Sequence, residues 1–217
     1  MLKDKVIKLT EIRLKGFKSI DGQAGQLIPL GDTTVLLGAN GSGKSNLVSF
    51  FKMLSYITTG ALQQYVGQQG ASRLLFYGNK ITESISFKLT LESGSIRDTY
   101  EMRLSHGLPD RLFISGEKIT YHKVSHPSPC PQEYFLDVGG SESGLSGDHR
   151  KTSQILHNLL SGIRTYQFHD TSDSAKIKDR GYVDDARYLR SDAGNLAAFL
   201  KMLKGHASFK KYYQRIF

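Results

Sequence analysis

Residues 38–45 read GANGSGKS and satisfy G-x-x-x-x-G-K-[ST] at every fixed position. No other stretch constrains the fold as tightly, because this pattern works only where a strand runs into a glycine loop and the loop into a helix. Gly38, Gly41 and Gly43 let the backbone turn its N–H groups inward around a phosphate. The helix that follows presents its positive end to the same anion. Lys44 is then positioned to reach the β- and γ-phosphates and Ser45 to ligate Mg²⁺. The expected phosphate cradle comprises Gly38, Ala39, Asn40, Gly41, Ser42, Gly43, Lys44, Ser45 and Asn46, with ATP and Mg²⁺ as its ligands.

The flanking sequence agrees with this context. Residues 33–37, TTVLL, form a compact apolar run that ends at a glycine and predicts a fully buried strand. Residues 44–56 carry Leu47, Phe50, Phe51 and Leu54 at helical spacing. Upstream, residues 6–20 mix β-branched and basic side chains in partial alternation, as a strand exposed on one face would, and a short apolar piece follows at 26–30. Between about residues 84 and 122 the period becomes two, in ISFKLTL, TYEMRL, RLFIS and KITY, separated by Gly94 and a turn at 107–110. That pattern predicts an antiparallel meander. Residues 127–147 are rich in proline, glycine and serine and predict a flexible insertion. Beyond it, the pattern predicts a helix at 152–160, a strand at 163–168, and helices at 195–203 and 207–216. The expected fold class is α/β, a P-loop lobe with an antiparallel β meander, spanning residues 1–217 as one domain.

Composition narrows the setting. The single cysteine, Cys130, leaves no intrachain disulfide and no thiolate cluster, which fits a reducing cytoplasm. No apolar run approaches the roughly 18 residues of a membrane span, and residues 1–10 lack the apolar core of a signal peptide. The net charge is +9, and residues 196–217 hold Lys201, Lys204, Lys210, Lys211 and Arg215 with no acid. This imbalance favours a polyanionic partner such as DNA.

A P-loop alone does not choose between ATP and GTP. Guanine recognition would require N-K-x-D after a D-x-x-G element. Asp137 with Gly139 and Gly140 imitates the second, but the only Asn-Lys pair, Asn79-Lys80, lacks the aspartate and precedes it. A GTP-dependent switch is therefore the weaker alternative.

IRLKGFKSI at 12–20 together with VLLGANGSGKSNL at 35–47 resembles the first lobe of ABC-type ATPases of the RecF, SMC and OLD kind, and more narrowly the bacterial predicted AAA-family ATPases built on that lobe. LLFYGNKITESISFKLTL, YQFHDTS at 166–172 and YLRSDAGNLAAFL at 188–200 extend the likeness. The resemblance implies that Gln167 senses Mg²⁺ and the γ-phosphate and takes part in catalysis with Lys44. His169 and Asp170 read as turn formers beside it, and Lys15 and Lys18 as residues near nucleotide or DNA. It further implies ATP sandwiched between two copies, a role in DNA maintenance, DNA repair or antiviral defence, and a nuclease or effector partner. The signature motif, the apolar strand ending in Asp-Glu and the switch histidine of a complete enzyme are not found. Residues 209–217, FKKYYQRIF, run into the C-terminus without a helix stop, so the sequence is expected to be lobe one, cut before a second lobe. Such a lobe should bind ATP more readily than it hydrolyses it. A catalytically incomplete, nucleotide-gated scaffold is the alternative.

Overall fold

The computed structural model describes residues 6–125, 130–136, 138–166, 168, 172 and 174–216. The chain divides into two compact units, Met1–Ile163 and Arg164–Phe217. The first is mixed α/β around a six-stranded sheet of order β2-β1-β3-β4-β5-β6 with every neighbouring pair antiparallel. Its strands are β1 (Lys8–Lys15), β2 (Gln26–Pro29), β3 (Ser84–Ser93), β4 (Ile96–Gly107), β5 (Arg111–Lys123) and β6 (Gln132–Phe135). The period-two segments take their expected faces. Leu89, Tyr100 and Ile119 align across β3, β4 and β5 and are buried, whereas Lys88, Glu101 and Lys118 align on the opposite face.

The buried face is covered by helices. In α1 (Lys44–Thr58) the apolar stripe Leu47, Phe50, Met53, Leu54 and Ile57 is buried. Phe50 meets Phe17 at 6.0 Å and Phe87 at 5.2 Å edge to face, which joins α1 to β3 and to the turn after β1. The short helices α2 (Leu62–Gln69) and α3 (Ala71–Leu74) have no caps of their own. Distant carboxylates supply them: Glu142 accepts from Leu62 N and Gln63 N at 2.7 and 3.0 Å, and Asp110 from Ala71 N and Ser72 N at 3.1 and 2.9 Å. Residues Lys151–Ser161 form α4, which buries Leu156 and Leu160. Inside the sheet layer, buried Glu117 accepts from Tyr100 Oη and Ser143 Oγ, both at 2.5 Å, and from Gly144 N at 3.0 Å. Burial and the adjacent carboxylate push the Tyr100 hydroxyl pKa well above its ordinary value.

Several expectations are corrected. Residues 33–37 form no strand, and Val35, Leu36 and Leu37 are 72%, 43% and 89% exposed. An apolar strand of that kind needs neighbours on both sides. Here both edges of β1 are taken by β2 and β3, and no described residue pairs with 35–37. RLFIS and KITY are one strand, β5, continued through a register shift opposite Arg103 and Leu104. The segment expected to be a flexible insertion holds β6, and Gly139 and Gly140 bond back to Ile114. Its composition signalled turns, and the sheet edge of β5 supplied the pairing. Among the described residues of 163–168 there is no strand. In the second unit α5 (Leu196–Gly205) matches expectation, but α6 is only Lys210–Tyr213. Buried Asn195 staples the preceding loop by bonding Arg190 N, Asp185 O and Tyr188 O.

One core position carries a pH signature. Asp98 is buried on the sheet's inner side with its Oδ1 unpartnered, and desolvation raises its pKa to about 6 despite a bond from the His122 backbone. The folded pKa lies above the unfolded one, so the native state binds the extra proton. Its stabilising contribution is complete below about pH 4 and is lost as pH rises toward 6. Asp98→Asn is expected to add roughly 1–2 kcal/mol of stability at neutral pH and to flatten the stability profile between about pH 4 and 6. Urea melts across that range would show an unchanged slope if burial of Asp98 were not the cause.

Candidate functional site

The GANGSGKS segment forms an exposed loop that enters α1 at Lys44. Gly41 and Gly43 have φ of +85° and +91°, a left-handed backbone that other residues rarely adopt. At Gly38 the constraint is space, since a Cβ there would lie 2.7 Å from Ser42 Oγ. Lys44 folds back over the loop and donates to the carbonyls of Gly38 and Ala39, each at 2.7 Å, and to Ser42 Oγ at 3.3 Å. Ala39 and Asn40 form the exposed outer rim. Ser45 is exposed in the first turn of α1, which carries no acidic side chain to oppose an anion. The loop therefore brings together a helix N-terminus and one lysine, donors suited to a phosphate. Glycine at 38 keeps clear of Ser42 Oγ, and Ser45 presents one exposed hydroxyl beside the loop. Among the described residues no group of three or more His, Cys, Asp or Glu side chains converges to hold a metal.

A second segment, the turn after β1, supports the loop. Gly16 has φ +71°, and a Cβ on it would come within 2.3 Å of Ser84 O. The tight turn that follows aims Lys18 and Ser19 at α1. Ser19 Oγ accepts from Asn46 Nδ2 at 2.6 Å and sits where a Cβ on Gly43 would come within 2.9 Å. Lys18 Nζ donates to Ser49 Oγ at 3.0 Å, and its pKa is lowered by partial burial and then by nearby Lys52.

Sequence reading paired Lys15 with Lys18, and the structure separates them. Lys15 ends β1 and bonds Gln23 O at 2.7 Å, while only Lys18 faces the loop's helix. Ser19, Ser49 and Lys52 were missed, although Asn46, Ser49 and Lys52 recur every three residues and mark a polar stripe on α1. Gln167 lies outside the described residues, as do Asp137, His169 and Asp170. No described helix is long and apolar enough to cross a membrane. No protein-family model and no curated protein matches this chain.

Proposed function

We propose that this chain is the Mg²⁺-ATP-binding lobe of an ABC-type ATPase of the RecF, SMC and OLD kind, acting in DNA maintenance or anti-phage defence and pairing with a second copy around ATP. The observation that carries the reading is the loop at 38–45. Its glycine backbone turns into the N-terminus of α1, and its lysine lies folded over the loop on the carbonyls of Gly38 and Ala39. Asn46 and Ser19 brace the loop from outside, which fixes its shape before ligand arrives. When bound, Mg²⁺ would supply charge neutralisation at the phosphates, with Ser45 as its protein ligand.

Thermal unfolding tests the reading. Mg²⁺-ATP at about a hundred times its dissociation constant is expected to add about 2.7 kcal/mol of stability, seen as a raised Tm. Adenosine should give no shift, because the loop recognises phosphate and not base. An equal shift with adenosine would overturn the proposal, and a larger shift with GTP than with ATP would favour the switch. Phosphate release by this chain alone is expected to stay below about 1 per second, the lower end of competent enzymes.

A further inference from the structure

The outer face of the sheet, opposite the helices, carries a groove of about 480 Å³. Strand register explains its composition. One cross-strand row runs Lys15, Ser86, Arg103, Gly116, and the next runs Arg13, Lys88, Glu101, Lys118, Phe135. Residues directly opposite share a face, so these side chains emerge together. Ser86 and Gly116 keep the floor low between the basic residues. Glu101 pairs with Lys88 at 2.9 Å and lies 3.8 Å from Lys118, while Arg13 is paired with Glu11 at 2.9 Å. Lys15 and Arg103 are different: among the described residues neither has a carboxylate within salt-bridge distance, and Arg103 is exposed. They stand two strands apart, about 10 Å. At the far end of the second row Phe135 is 71% exposed, with Lys118 Nζ 6.0 Å from its ring centroid.

We propose that this groove binds single-stranded nucleic acid without sequence preference, with Lys15 and Arg103 on the phosphate backbone and Phe135 stacking on a base. Charge complementarity identifies a polyanion: five of the groove's side chains are cations, and the two with no carboxylate partner lie in one cross-strand row, two strands apart. The exposed ring beside that row distinguishes the polyanion, since an acidic peptide would leave Phe135 unused. In a duplex the base faces are already stacked on one another and cannot reach it. A basic groove with an aromatic platform is the physical minimum for tracking an unpaired strand. The inference is independent of the phosphate loop, which lies elsewhere in the chain.

Fluorescence anisotropy of a labelled oligothymidine against the full chain, without nucleotide, tests this. Binding at low salt is expected, with log affinity falling linearly as log salt rises. Lys15→Gln with Arg103→Gln should weaken binding at least tenfold and reduce the salt slope by about 1.4, the share of two phosphate contacts on a single strand. Phe135→Ala should weaken it by about tenfold and leave the slope unchanged. All three side chains are exposed, so unchanged melting curves will confirm intact folds. No binding at low salt, unaltered affinity in both variants, or preference for duplex would each overturn the proposal. Displacement by oligoglutamate as effective as by unlabelled oligothymidine, with Phe135→Ala silent, would overturn it in favour of an acidic peptide.

Discussion

Lys44→Ala is expected to remove the Mg²⁺-ATP stabilisation almost entirely while leaving the unliganded protein close to its original Tm. The two effects separate because Lys44 does different work in each state. Without ligand its Nζ bonds the carbonyls of Gly38 and Ala39, but both residues are exposed, so water replaces the lysine at little cost. With ligand the same ammonium would form charge-assisted bonds to phosphate, each worth about 1.5–3 kcal/mol. Losing two such bonds predicts at least a hundredfold weaker binding, readable by titration calorimetry. Undiminished binding in Lys44→Ala would move the nucleotide site away from residues 38–46.

Gly16→Ala is expected to destabilise the chain by about 3 kcal/mol or more. Part of that loss is backbone strain, since left-handed φ costs a residue with a Cβ about 1–2 kcal/mol. The remainder is steric, because the new methyl would lie 2.3 Å from Ser84 O on a strand that cannot retreat without breaking its pairing with β1 and β4. Gly60→Ala isolates the first contribution, for Gly60 has φ +65° and nothing within 4 Å of its Cβ position. Urea melts should therefore show Gly60→Ala near 1–2 kcal/mol and Gly16→Ala well beyond it. Equal losses would mean that the close approach to β3 relaxes freely. A nucleotide shift that weakens in Gly16→Ala and not in Gly60→Ala would tie the Lys18 and Ser19 contacts on α1 to the loop.

The elements most legible in the sequence were those whose pattern is enforced by one buried face. Leu47, Phe50 and Leu54 predicted α1, and the alternation from Ile85 to Tyr121 predicted β3 to β5, because each side chain's place follows from local period alone. Position in a sheet is not local. Val35 to Leu37 have the composition of a central strand, yet whether such a run is buried depends on partners elsewhere in the chain. β6 shows the converse, a strand among prolines and glycines held by the free edge of β5. The glycine loop running into α1 at Lys44 was readable because the spacing of Gly41 and Gly43 dictates that turn. Its supports were not, since the bonds from Lys18 to Ser49 and from Asn46 to Ser19 join residues 31 and 27 positions apart.

The strand order has a consequence for biosynthesis. β1 is made early, but its inner neighbour β3 follows only after the glycine loop and α1 to α3 have been synthesised. Until then β1 has only β2 beside it, and a two-stranded hairpin is marginal in water. Phe50 likewise waits for Phe87 before its edge-to-face contact exists. A nascent chain halted before β3 would carry all of GANGSGKS and have only the β1–β2 hairpin on which to seat it. The seat of the glycine loop is thus completed late in folding, as the closure of a long-range pairing and not of a local motif.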